Sequence, residues 1–365
     1  MKKTIFTKKI APFALILLFG TTIVNSTYGQ NETSMLQKGD TSYFFKGKDS
    51  FKDALNAAAN GDTIYLSAGS FNAPTAIDKG VVIIGAGHFP DIGFQKRTDV
   101  GYLNVNAGAD NLHIEGLFAN GGVTFLAEIN AVKIIRCNVG YIALSAPANT
   151  TINDCIIKEC FIQSGINLAS NRQNTFGQNC QIIQNIILDG DYYCGNFYCW
   201  GASIYKLQNS IISRNIFFTC RAGDYKSFLS EVTNSVITNN IIVSATNTLL
   251  AGAENNNFEY NIFTEATVDF GITNTSNNNY MGISQNTIFV NQTGTNIDYN
   301  HDYHLQNPAL YVDGNGVQIG LYGSNTPFKD KGYPFNPQII EKNVGAEVLL
   351  DGTLPINIKV QAQDR

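Results

Sequence analysis

Cysteine is absent before Cys137, and the seven cysteines that follow are an odd number at irregular spacings. At least one thiol therefore stays free or pairs between chains, and the disulfide framework of a small secreted domain is excluded. A lipoprotein anchor just behind the amino-terminal apolar stretch is excluded as well. Histidine is scarce: His88, His113, His301 and His304. His301 and His304 flank Asp302 in the loop-like "NHDYHLQN", without the third ligand and tight frame that zinc needs. No cofactor is expected, and only a divalent cation such as calcium stays open. Basic residues are few, 24 against 29 acids for a net charge of −5. Residues 1–29 carry four lysines and no acid, so their removal takes the net charge to −9. So acidic a chain makes a poor partner for nucleic acid or an anionic membrane. A polyanionic polysaccharide would need a local basic pocket working against the global field. The one long apolar stretch, Ile10 to Val24, is broken by Pro12 and falls short of a membrane span.

What is present begins with an export signal over residues 1–29. Lys2, Lys3, Lys8 and Lys9 precede the apolar stretch, and Thr27-Tyr28-Gly29 supplies a small-residue exit before Gln30. The expected location is periplasmic, cell-surface or extracellular. Hydrophobic content of 44% suffices for a core.

A repeat then organises the middle of the chain. "QNCQIIQNIIL" from Gln178, "QNSIISRNIFF" from Gln208, "TNSVITNNIIV" from Thr233 and "NNNFEYNIF" from Asn255 share one unit. An Asn is followed six residues later by a second Asn and two apolar residues. The pairs are Asn179/Asn185, Asn209/Asn215, Asn234/Asn240 and Asn255/Asn261, and "SQNTIFV" around Asn286 continues the series with a slip. Steps of 30, 25, 21 and 25 residues from Asn185 to Asn286, with β-branched doublets and no helical period, predict one turn of a strand-built coil per repeat. Asn185, Asn215, Asn240, Asn261 and Asn286 would stack as a ladder, since Asn tolerates left-handed bends and bonds both backbone and its neighbour. An antiparallel sandwich with Asn-rich turns is the alternative, but hairpins do not explain so fixed a unit. Cys137, Cys155, Cys180 and Cys220 lie in or beside apolar runs, as small buried hydrophobes do.

Upstream, Ser50 is placed to cap a short helix with Phe51, Ala54, Leu55 and Ala58 on one face and Gly61 at its end. The strands "DTIYLSAGSF" and "GVVIIGAG" follow. An open coil exposes its core at the first rung, so this amphipathic helix reads as its lid. The helix, "NGDTIYLSAGSF", "VVIIGAGHFPDI" and the Asn rungs resemble the pectin-lyase-like right-handed parallel β-helix superfamily. "NLHIEGL", "DYHLQNPA", "IGLYGSNTPFK" and the terminal "INIKVQAQDR" resemble a set of exported bacterial β-helix proteins of unassigned function. The likeness spans roughly Ser50 to Arg365. It implies an all-β solenoid over residues 49–325 behind a leader at 30–48. Residues 326–365 would form a Pro-containing wrap and a β-hairpin about Asp351-Gly352-Thr353. That hairpin is too small to fold alone and docks either on its own β-helix or on a partner.

For chemistry the superfamily is diverse, spanning lyases, hydrolases, esterases, adhesins and phage spikes. The Asn-Thr-Asp, Asp-Asp, Gly-His-Gly and Arg-x-Lys series of polygalacturonase-type members is missing here. So are the calcium-binding acids with arginine bases of pectate-lyase-type members. Rung lengths point instead to insertions: "NLASNRQNTFG", "DGDYYCGNFYCWG" and "CRAGDYKSF". If these occupy equivalent places, they line one wall bearing Arg172, Asp189, Asp191, Tyr192, Tyr193, Trp200, Arg221, Asp224, Tyr225 and Lys226. A Cys194–Cys199 disulfide would close the middle loop at its base. Arg172, Tyr192, Tyr193, Trp200 and Tyr225 suit a polysaccharide or cell-surface glycan. Asp189, Asp191, Asp224, Arg221 and Lys226 are the catalytic candidates if the wall belongs to a lyase or glycoside hydrolase. Non-catalytic glycan binding is the leading expectation, and a structural adhesin or envelope component is the third. The exported chain is expected to begin at Gln30. Amino-terminal sequencing of the secreted product checks this, and a secreted chain retaining Met1 would refute it.

Overall fold

The computed structural model describes residues 32–361 except 90–96, 169–173, 190–192, 195–196, 199–200, 220–225, 245–248, 335–337 and 346. The apolar doublets fold as short strands that hydrogen-bond to the rung before and the rung after, giving three long sheets. The first runs in sequence order from Thr63–Leu66 to Thr275–Asn277, all parallel. Thr33–Lys38 and Thr41–Lys46, inside the stretch expected to be a leader, add two antiparallel strands to its edge. The second sheet runs from Gly69–Ser70 to Ile262–Phe263, and the third from Leu103–Val105 to Leu250–Ala251. The chain is thus a parallel β-helix, with Ile64, Ile83, Ile114, Ile134, Ile157, Ile182, Ile212, Ile237 and Phe258 stacked inside the first sheet.

The first rung is closed by helix α1, Ser50–Ala57, which buries Phe51, Ala54 and Leu55. Asp49, not Ser50, holds the N-cap position. Ser50 faces inward, and its hydroxyl shares a 2.9 Å hydrogen bond with that of Ser34. A buried hydroxyl takes the partner within reach, which here is a neighbouring strand.

Two bends per rung explain the Asn pairs. Asn179, Asn209, Asn234 and Asn255 all take φ between 48° and 57° at the bend before the first sheet. The second Asn of each pair lies inside, behind the bend between first and second sheets. Asn215 Nδ2 donates to Ile182 O (2.8 Å) and to Asn240 Oδ1 (3.0 Å), while its Oδ1 accepts the Asn185 N–H at 2.8 Å. Asn185, Asn240 and Asn261 repeat this pattern. The ladder then passes to Asn279, whose Oδ1 accepts from Asn261 N–H at 2.9 Å. Asn286 is not a rung. It is exposed in a 3-10 turn, Gln285–Thr287, because the coil has already ended.

The cysteines belong to these ladders. Cys160 N–H donates to Asn185 Oδ1 at 2.9 Å, and Cys137 N–H to Cys160 Sγ at 3.5 Å. A second ladder, behind the other bend, runs Cys180, Ser210, Ser235, Asn256 and Asn274. Burial pushes the Cys180 thiol up to about 11 and those of Cys155 and Cys160 higher than usual, so all three are inert structural groups.

From Phe161 onward the outer face of the second sheet is covered. Phe161, Ile186, Ile216, Phe218, Ile241, Val243 and Ile262 point outward from it into a second core. Ile288, Phe289, Tyr303, Leu305, Tyr311, Ile319, Leu321 and Phe328 of the carboxy-terminal segment build the other side. From Val312 to Pro334 this segment runs back towards the amino-terminal rungs as a strap, bound by the residues at the bend. Arg136, Gln184, Arg214, Asn239 and Tyr260 are at that bend with Glu159, all at φ between 50° and 60°, and Glu159 pairs with Arg136. Arg214 donates to Gln318 O (2.9 Å) and pairs with Asp313 (3.2 Å). Gln184 Nε2 reaches Leu321 O, Ser324 Oγ and Thr326 O within 3.0 Å. Arg136, wholly buried, pairs with Glu159 at 2.7 Å and Glu115 at 3.7 Å and donates to Tyr333 O at 3.4 Å. Lys158 also meets Glu159, at 3.1 Å. Beyond the strap, Gln338–Val344 and Ile356–Gln361 form an antiparallel hairpin paired only with each other. Its Val344, Ile356, Ile358 and Val360 are exposed. Among the described residues no helix is long and apolar enough to cross a membrane.

Replacing Asn215 by Ala strands the Asn185 N–H and side-chain amide in the core. A loss of about 2–4 kcal/mol is expected in urea unfolding, against less than ~0.5 kcal/mol for Asn286→Ala. Arg136→Ala leaves Glu159 and Glu115 buried with their best partner removed, and about 3–5 kcal/mol should be lost in the same measurement.

Candidate functional site

With the second sheet covered, the open surfaces of the coil are the outer faces of the first and third sheets. The third is the one flanked by insertions. Its register builds one outward column: Asn104, Thr124, Ala143, Asn167, Tyr205, Ser230 and Ala251. Alternation along each strand puts the column outside, because the residues on either side, such as Leu103 and Val105, fill the core. Asn167, Tyr205 and Ser230 are buried in mid-column, whereas Asn104 and Thr124 are half-exposed.

The charged part of this face is one residue further on. Lys206 and Glu231 both occupy left-handed bends, φ 59° and 49°, within the long strands Gly201–Gln208 and Lys226–Thr233. Each lies three residues before the Asn that turns into the next rung, so they fall on neighbouring rungs. Tyr205 Oη donates to Glu231 Oε1 at 2.9 Å, and Lys206 Nζ lies 3.6 Å from Glu231 Oε2. The Glu231 carboxylate is half exposed and both its oxygens are engaged, so it is a fixed acceptor on the surface.

The insertions do not all leave from one place. Residues 190–200 and 220–225 connect the second sheet to the third, and residues 245–248 share that corner. The insertion carrying Arg172 instead separates Ile166–Asn167 from Phe176–Gln178, two strands that both belong to the third sheet. The three-insertion wall is therefore corrected. The strands flanking the Arg172 insertion both belong to the third sheet, so that insertion does not join the second sheet to the third as the other two do. Counting residues per rung could not separate these cases, since the third side is two strands in the early rungs and one fused strand from Gly201.

Among the expected site residues, Asp189 is described. It is buried at the end of Ile186–Leu188, and its N–H donates to Phe218 O at 3.0 Å. Tyr193–Cys194 pairs antiparallel with Phe197–Tyr198, Tyr193 opposite Tyr198 and Cys194 opposite Phe197. Lys226 begins its strand opposite Gly201. Arg172, Asp191, Tyr192, Cys199, Trp200, Arg221, Asp224 and Tyr225 lie outside the described residues, and with them the Cys194–Cys199 pairing. Tyr205, Lys206 and Glu231 were missed by sequence reading. The signal was present: "YKLQNS" aligned on "SEVTNS" stacks a lysine on a glutamate.

The two histidines of "NHDYHLQN" have other partners. His304 Nδ1 shares a 2.7 Å bond with Asp302 and its ring stacks on Tyr322, while His301 turns to Tyr303. Among the described residues no three His, Cys, Asp or Glu side chains gather as a metal would require.

No family model matches the chain, and no curated protein does. Among solved structures it is similar to the crystal structure of an alginate lyase from Paenibacillus sp. str. FPU-7. The two are 14% identical, with 64% of this chain and 95% of that one covered, at a TM-score of 0.40.

Proposed function

We propose that this protein binds a neutral glycan on the outer face of the third sheet without cleaving it. The observation that carries this reading is the Tyr205–Glu231–Lys206 cluster. It is a half-exposed carboxylate held in one orientation by a buried phenol and a neighbouring ammonium. A carboxylate so held accepts hydrogen bonds from vicinal sugar hydroxyls without first being ordered, which is where binding affinity is otherwise lost. The rung spacing of ~4.8 Å repeats polar groups such as Asn104 and Thr124 along the same face, at an interval near the length of one pyranose ring. Insertions 190–200, 220–225 and 245–248 leave from the adjoining corner. The sequence carries Tyr192, Tyr193, Trp200 and Tyr225 in the first two of these, residue types whose rings suit stacking on sugars.

Hydrolysis of a glycoside needs two carboxylates flanking one bond, and the cluster contributes one. Lyase chemistry needs a free base, whereas Lys206 is paired with Glu231. The acidic net charge argues for a neutral rather than a polyanionic ligand.

Affinity electrophoresis of the secreted protein against neutral and acidic polysaccharides tests the reading. Retardation by a neutral polysaccharide is expected, with about tenfold weaker binding in Glu231→Ala, the loss of about one hydrogen-bonded contact. Unchanged retention in that variant would move the site elsewhere. Release of reducing or unsaturated ends would make the protein an enzyme.

A further inference from the structure

The strap is held unevenly along its length. Arg214 and Gln184 grip its middle with several short bonds, but at the amino-terminal rungs Arg136 touches Tyr333 O at only 3.4 Å. The Gly332 N–H stays within its own turn, on Lys329 O. Beneath that end lies His88, wholly buried. We propose that His88 is an acid-operated latch: its protonation releases strap residues 329–334 and uncovers the apolar surface at Phe161, while the coil stays folded.

The hydrogen bonds fix which nitrogen of His88 is bare. The Tyr299 hydroxyl donates to the His88 carbonyl at 3.1 Å and accepts from Asn138 Nδ2. Its proton is spent, so the 2.9 Å contact with His88 Nδ1 has the imidazole donating. Nε2 then carries the lone pair, and it has no hydrogen-bond partner. It faces the strap so closely that a Cβ placed on Gly332 would lie 2.0 Å from it. Gly332, at φ 52°, is the one residue type this approach admits. A second proton on the ring would drive an N–H into this backbone with no acceptor to receive it.

Among the described residues nothing nearby offsets the charge. The rings of Phe161 and Tyr299 lie 5.3 and 5.7 Å away, and Phe89 and Phe328 pack against those two rings. Arg97 lies over Phe118, and Arg136 lies beneath Tyr333. Glu115 and Glu159 are shared among Arg136, His113 and Lys158. Of the strap's own charges, Asp330 is held by Tyr322, which leaves Lys329 and Lys331. The Tyr299 phenol, pushed up to about 12 by burial, stays neutral throughout. Charge near His88 is thus cationic or already paired among the described residues.

Burial pushes His88 down to about 3 from its ordinary 6.5. The closed latch is therefore fully stabilised above pH 6.5 and loses that stability as pH falls from there towards 3. With the imidazole titrating normally once released, the opening constant rises roughly 70-fold between pH 7 and pH 4.5.

Hydrogen–deuterium exchange of the whole protein, corrected for the intrinsic pH dependence of exchange, measures this directly. Protection over residues 327–334 should fall roughly 70-fold from pH 7 to pH 4.5, while peptides over Ile212–Ile242 keep theirs. In His88→Gln the strap should show no such pH dependence. Equal strap protection at both pH values, the same fall in His88→Gln, or a loss that includes the coil peptides would overturn the latch. If His88→Gln itself loses coil protection, Gly332→Ala decides. A strap already open at pH 7 over an intact coil supports the latch, and one as protected as in the native protein refutes it.

Discussion

The coil stands on the inward amide of Asn185, Asn215, Asn240 and Asn261. A solenoid must turn its backbone at each corner, and a turn leaves N–H and C=O groups that neither sheet can pair. Buried without partners, each would cost about 1–3 kcal/mol. One carboxamide per rung solves this, because it donates backwards to the carbonyl of the preceding rung and forwards to the next amide. Its own oxygen accepts from the preceding rung. Cys137 and Cys160 at the early end and Ser210 and Ser235 at the other bend are weaker versions of the same device. Cys160, Ser210 and Ser235 each accept a single backbone N–H from the rung before.

The outward side of that bend has a different task. Arg136, Glu159, Gln184, Arg214 and Tyr260 sit in a backbone conformation that costs L-residues roughly 1–2 kcal/mol, where Asn or Gly would be cheaper. Their long side chains explain the choice, since each of the polar ones reaches the carboxy-terminal strap or a neighbour that does. The strap in turn covers the apolar outer face of the second sheet, which could not stand in water. Bend, strap and second core therefore depend on one another. The outer surface that this arrangement leaves unused is chiefly that of the first and third sheets, the latter with Tyr205 and Glu231.

Much of this was legible in the residues. The Asn-x5-Asn unit announced both bends, since a left-handed turn and a buried ladder ask for the same residue type for different reasons. The amphipathic stretch from Phe51 to Ala58 announced the lid. Other features were not legible. Asn286 matches the repeat locally, and only the end of the coil one rung earlier removes it from the ladder. Arg172 seemed equivalent to Arg221 because residue counting measures the length of a rung, not the corner at which the excess is inserted. The ladder role of Cys160 could not be read at all, as a thiol in an apolar run looks the same whether or not its neighbour bonds to it.

What the sequence determined by itself is the coil: period, strand type and bend chemistry are local properties, repeated until they admit one architecture. What tertiary structure decided is which surfaces remain. The pairing of Lys206 with Glu231 and the burial of His88 under Gly332, 244 residues away in sequence, arise from register and from the path of the strap. Neither is encoded in any short stretch of the chain. Contacts between distant segments are fixed by how whole sheets stack and what covers them, and that is settled only when the chain has closed on itself.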